Sequence, residues 1–191
     1  FDSVQFQVGH KRQEDIELSI RSSAASAIGT RRVEGTAGHL AGTTQGIDAH
    51  TLTVAGHVGS KAITVAGGAD AKTVAASVNQ NSELTGVSAT AVTKAEIVAV
   101  HSTGNVQFVI GTDTSTSNSA TITSTNISAT SDISALRDAI NDKSGTTGIT
   151  AEVVNNDKSR IILTHATGDD IVISGISTSG PALTVRSLGA D

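Results

Sequence analysis

Asp70-Ala71-Lys72-Thr73-Val74-Ala75-Ala76-Ser77-Val78-Asn79 and Asp132-Ile133-Ser134-Ala135-Leu136-Arg137-Asp138-Ala139-Ile140-Asn141 align at a constant shift of 62 residues. The same shift carries Thr85-Gly86-Val87-Ser88-Ala89-Thr90-Ala91-Val92 onto Thr147-Gly148-Ile149-Thr150-Ala151-Glu152-Val153-Val154. Beyond this block, two extra residues near 155–158 raise the shift to 64, which sets His101-Ser102-Thr103-Gly104 opposite His165-Ala166-Thr167-Gly168. Three blocks in the same order, with an insertion confined to a polar turn, identify an internal duplication.

Each copy has the same physical pattern. Asp70 and Asp132 are expected N-caps, because a short carboxylate satisfies free amides at a helix start. Positions 71, 74 and 78, and likewise 133, 136 and 140, fall on one helical face, predicting two helices of about three turns. A glycine turn follows each, and then β-branched runs that predict strands at Val87–Val92, Ile97–Val100 and Val106–Ile110. The second copy predicts strands at Ile149–Val154, Arg160–Thr164 and Asp170–Ile173, while Val58–Val65 and Ala120–Ile127 supply a strand ahead of each helix. The expected fold class is α+β and β-rich: two repeated small units, 49–111 and 112–180, each a short helix packed on an antiparallel sheet.

Residues 1–48 read differently. Val4-Gln5-Phe6-Gln7-Val8-Gly9 and Ile16-Glu17-Leu18-Ser19-Ile20 alternate as strands, and the charged run His10–Asp15 joins them as an N-terminal β-hairpin. Gly35–Gly46, rich in Gly, Ala and Thr, reads as a linker. The tail 181–191, with a strand near Pro181–Val185, is expected to return beside the opening hairpin.

Composition narrows the function. Three Phe and no Trp, Tyr, Met or Cys leave Val, Ile, Leu and Ala to fill the core. Without cysteine, disulfides, thiol catalysis and thiolate-bound zinc are all excluded. A net charge of −5 without a long basic run argues against nucleic acid, and no apolar run approaches the roughly 20 residues of a membrane-spanning helix. The chain opens on Phe1 without a signal-peptide pattern, so it reads as a segment whose targeting signals lie elsewhere.

Phe6-Gln7-Val8-Gly9, followed seven residues later by Ile16, resembles the element by which bacterial flagellins pass from their helical part into the variable outer part. A short helix ending in Val78-Asn79 or Ile140-Asn141, then Thr-Gly-Val/Ile-x-Ala and a strand pair, resembles the flagellin inner repeat of flagellins and some hook-associated proteins. One departure is His10-Lys11-Arg12-Gln13-Glu14, where flagellins usually carry Ala-Asn-x-Gly-Gln. The long heptad-like helical sequences through which the family polymerises are not in this chain. The resemblance therefore implies an outer-domain segment, monomeric by itself, belonging to a protein that self-associates in an extracellular flagellar filament and serves motility.

The same resemblance makes Ser115, Ser117 and Ser119, in the Ser/Thr-rich stretch 112–125, candidate O-glycan acceptors; the plainer reading of this stretch is a solvated loop. Asn126-Ile127-Ser128 fits the N-glycosylation triplet, a pattern common by chance. No nucleophile elbow, phosphate-cradling loop, calcium loop or paired-His zinc motif occurs, so no catalytic, cofactor-binding or metal residue and no cofactor are assigned. Asp169-Asp170 reads as a solvated turn, and His101 and His165 as inherited turn chemistry, against the alternative of a metal pair. Lys11-Arg12 and Arg31-Arg32 read as surface ion pairs. Three functions compete: flagellin outer domain, hook-associated or filament-cap segment, and secreted adhesin module. The scarcity of aromatic rings weakens sugar stacking by the last.

Overall fold

A computed structural model describes residues 48–112, 117–154, 157–177 and 180–188, together with two strands at 4–7 and 15–18. The chain divides into two compact units, Phe1–Val33 and Glu34–Asp191. The first contains the expected hairpin: β1 (Val4–Gln7) pairs antiparallel with β2 (Asp15–Leu18), Val4 opposite Leu18 and Gln7 opposite Asp15. The turn at His10, the linker at 35–46 and both basic pairs lie outside the described residues.

The second unit begins with an antiparallel hairpin of β3 (His50–Ala55) and β4 (Ser60–Val65), closed by a Gly56 N–H to Gly59 carbonyl bond of 2.9 Å. Helices α1 (Ala71–Asn79) and α2 (Ser82–Thr85) follow, then β5 (Thr93–Val100), β6 (Gly104–Gly111) and β7 (Ser119–Ile127). The second copy continues with α3 (Ser134–Asn141), α4 (Ser144–Thr147), β8 (Ile149–Val154) and β9 (Asp157–His165). The last strands are β10 (Val172–Ser174) and β11 (Leu183–Leu188). Besides the β3–β4 pair, the sheets have the orders β10-β6-β7 and β11-β5-β9-β8, with every pairing antiparallel.

The β5–β9 pairing organises this unit. Thr93 faces His165 and Ile97 faces Ile161. Since Ile97 and Ile161 are counterparts at the shift of 64, each copy offers the same strand to the other about a local two-fold. The symmetry fails at the outer edges: β9 takes β8 from its own copy, whereas β5 takes β11.

Val87–Val92, expected as a strand, is accordingly not one. In the second copy Val154 pairs with Asp157 across a two-residue connection, but in the first Val92 is bonded directly to Thr93. A hairpin needs about two connecting residues, so in the register that β8 takes on β9 this segment has none left for its turn.

Helix caps follow the same near-symmetry. Asp70 caps α1 by accepting the Thr73 N–H at 2.8 Å. Asp132, expected to cap α3, instead accepts from Ser134 N–H at 3.0 Å, and Ile133 occupies the cap position. The Ile133 N–H donates to the Lys158 carbonyl at 2.8 Å, which ties the helix start to β9.

One hydrophobic core runs through both copies. It gathers Ile97, Val106 and Phe108 with Ile122, Leu136 and Ile161, each at most 1% exposed. Ile133, Leu136 and Ile140 all point inward, as the helical spacing predicts. In the first copy only Val78 is fully covered; Val74 is half-buried and Ala71 exposed. The cause is the narrow β3–β4 hairpin beneath α1, which contributes just Ile63 and Val65 to a smaller cluster. Leu136→Ala is therefore expected to lower unfolding free energy by about 3 kcal/mol, and Val78→Ala by about half that. Urea denaturation checks this. Probes on β5 and β9 should report one shared transition, and separate transitions would contradict the common core.

Candidate functional site

The most specific chemistry in the molecule is a clasp made twice. Asn79 Nδ2 donates to the Ala89 carbonyl and its Oδ1 accepts the Ala89 N–H, both at 2.8 Å. In the second copy Asn141 holds Ala151 in the same way, at 2.9 and 2.8 Å. A primary amide carries one donor and one acceptor side by side, so it imitates a backbone unit and fixes the chain ten residues downstream.

Buried threonines complete the turn between helix and extended segment. Thr85 Oγ1 donates to Asn81 O at 3.0 Å and accepts Val87 N–H at 3.2 Å; Thr147 does the same with Lys143 O and Ile149 N–H, at 3.1 and 3.2 Å. Gly86 and Gly148 follow at φ +71° and +69°, in the left-handed region. A Cβ at either would strike an imidazole, His57 in the first copy and His165 in the second. The recurring Asn, Thr-Gly and Ala are thus one hydrogen-bonded device that turns a helix into an extended segment.

Two polar clusters join the copies. Glu96, on β5, is 1% exposed and sits between Arg160 on β9 and Arg186 on β11. Arg186 Nε donates to Glu96 Oε2 at 2.6 Å, and the Arg160 guanidinium meets Oε1. A carboxylate clamped between two guanidiniums is a structural anchor.

The second cluster surrounds the turn after β9. Lys72 on α1 reaches both Asp169 oxygens, at 3.0 and 3.1 Å, and Thr167 Oγ1 donates to Oδ2 at 2.7 Å. His165, buried, accepts the Asp169 N–H on Nδ1 at 3.2 Å. The Gly168 carbonyl accepts from Lys72 N–H at 3.1 Å, tying this turn to the start of α1. Partial burial pushes the Asp169 carboxyl upward, but the Thr167 hydroxyl and the Lys72 ammonium outweigh it and hold the group below its ordinary range. Asp170 is raised, by burial first and then by Asp70 and Asp169.

Sequence candidates meet different fates. His165 performs the turn chemistry expected of it, while its counterpart His101 is exposed and bonds Thr184 Oγ1 at 2.7 Å. Asp169 does not stand free in a solvated turn, since it is bridged to α1, whereas Asp170 beside it is exposed. Ser117 is exposed in the turn ahead of β7. Ser119 is half-buried as the first β7 residue, opposite Gly111, and Ser115 lies outside the described residues. Asn126 is exposed and donates to Asn105 Oδ1 at 3.1 Å. Among the described residues, no three His, Asp or Glu side chains gather as a metal ion would require. Glu96 was missed; the signal available was a lone carboxylate inside a β-branched strand run.

Two outcomes follow. Asn141→Ala strands the Ala151 N–H and carbonyl in a part-buried place and should cost about 2 kcal/mol, more than Asn79→Ala at its exposed site. Denaturant midpoints of the two variants check the order. Because the Asp170 carboxyl is raised in the fold, its stabilising share is present below the unfolded pKa and lost as pH rises through the folded one. Asp170→Asn should therefore raise the melting temperature at neutral pH, with the gain vanishing below about pH 3.

The repeated geometry coincides with a known motif. The family model of the flagellin hook IN motif matches residues 51–103 and again residues 107–167, together more than half of the chain. Strands β10 and β11 lie beyond both matches. No curated protein matches the chain. No helix among the described residues is long and apolar enough to cross a membrane. The match supports a structural role in the flagellum. With two copies of the motif, each carrying the Asn clasp and the Thr-Gly turn, this chain belongs to the flagellin hook IN motif family.

Proposed function

We propose that this segment forms outer domains of a flagellar filament protein, exposed on the filament surface outside the cell and serving motility without catalysis. The observation that carries the reading is the pair of tandem motif copies built on a single core. Its polar groups act as braces: Glu96 is locked between arginines, and Asn79 and Asn141 are each bonded to backbone through both donor and acceptor.

Self-association then runs through helical regions outside these 191 residues, and the segment itself is a monomer. The net charge of −5 favours this, because crowded identical domains repel one another weakly and stay soluble.

Immunogold labelling of intact producing cells, with antibodies raised against this segment, separates the readings. Gold along the whole filament is the expected result. Gold restricted to the hook junction or the tip would assign the chain to a hook-associated or cap protein, and labelling away from flagella would favour an adhesin. Light scattering of the isolated segment should return the mass of one 19.2 kDa chain, and a discrete oligomer would overturn the monomer reading.

A further inference from the structure

The outer edge of β5 holds a strand that lies outside the motif. The two-fold pairing of β5 with β9 makes their free edges equivalent. On β9 that edge is taken by β8, with Ala151 opposite Leu163. The corresponding pair on β5 is Ala89 with Ala99, yet Ala99 faces Thr184 of β11.

The reason lies in the two residues missing between Val92 and Thr93. The Asn79 clasp still grips Ala89 as Asn141 grips Ala151, but the chain has no connection with which to turn back, and the edge is left vacant. An open edge presents unpaired backbone donors and acceptors to any incoming strand.

We propose that the outer edge of β5 is a strand-acceptor site, and that residues 183–188 are its guest, bound by β-augmentation and replaceable by the same strand supplied from another molecule. The ligand class is an extended peptide, antiparallel to β5. Leu183 and Val185 pack it against the core, and Arg186 addresses Glu96 through Nε at 2.6 Å. His101 is recruited to the site: its N–H donates to Ala182 O at 3.0 Å and its ring bonds the Thr184 hydroxyl. That use explains why His101 and His165, equal in sequence position, differ in role.

Two full-length variants test the proposal. Consecutive N–H groups of a strand point to opposite edges, so Val185→Pro combined with Arg186→Pro removes the donor that faces β5 whichever residue carries it. Hydrogen exchange of this variant should show 183–188 unprotected while β5, β9 and β8 stay protected. A labelled peptide of sequence 181–188 should then bind it, and the same peptide with Arg186→Glu should bind about tenfold more weakly or worse. Unfolding of the four-stranded sheet, or failure of the natural peptide to bind, would overturn the proposal by making β11 an integral strand. In the second variant, an Asn-Gly insertion between Val92 and Thr93 restores the hairpin connection, and protection should move from 183–188 to 87–92. Unchanged protection of both segments, or general loss of structure, would count equally against it.

Discussion

The antiparallel pairing of β5 with β9 is the constraint on which the second unit rests. It sets Ile97 against its own counterpart Ile161 and so makes two short motifs share one interior. A single copy offers two short helices and a few short strands, and so little apolar surface to offset the ordering of its backbone. Joined through this ladder, the copies bury Leu136, Ile140 and Phe108 in a continuous cluster. Glu96 belongs to the same arrangement: its carboxylate is drawn out of water on β5 and neutralised from the strands on either side, so burying it demands that all three strands be in register.

Much of this was legible in the residues. The constant shift exposed the duplication, the helical spacing of 133, 136 and 140 foretold a buried face, and the glycines of both Thr-Gly turns marked the helix ends. What escaped was decided at a distance. Val87–Val92 has the composition of a strand, and local preference cannot reveal that the connection to its partner is two residues short. The shortfall was visible as the change of shift from 62 to 64, but its effect depends on hairpin geometry. Strand β3 escaped, and the strand expected at Val58–Val65 was begun inside the Gly56–Gly59 turn that separates β3 from β4. Glu96 escaped because its two partners lie in strands that only the fold brings alongside.

Among the polar residues, the ones that recur in both copies are those that satisfy backbone. Asn79 and Asn141, Thr85 and Thr147 each donate one hydrogen bond to the backbone and accept one from it. Residues that differ between copies, such as Lys72, Glu96 and Arg160, make the joints between them. The motif thus separates what folds each copy from what assembles the copies, which accords with membership of a family built by repetition.

A strand that pairs with its own counterpart about a two-fold obeys the rule of an isologous dimer, in which one patch serves as both halves of the interface. Two separate single-motif chains would be held by the same contacts, at the mercy of dilution. Placing both on one polypeptide replaces that concentration with a fixed local one and guarantees a stoichiometry of one to one. It also releases each copy to diverge, because a change in one half is no longer imposed on the other. The lost hairpin connection at Val92 is a change of that kind: in a symmetric dimer it would have opened two edges, and here it opened one.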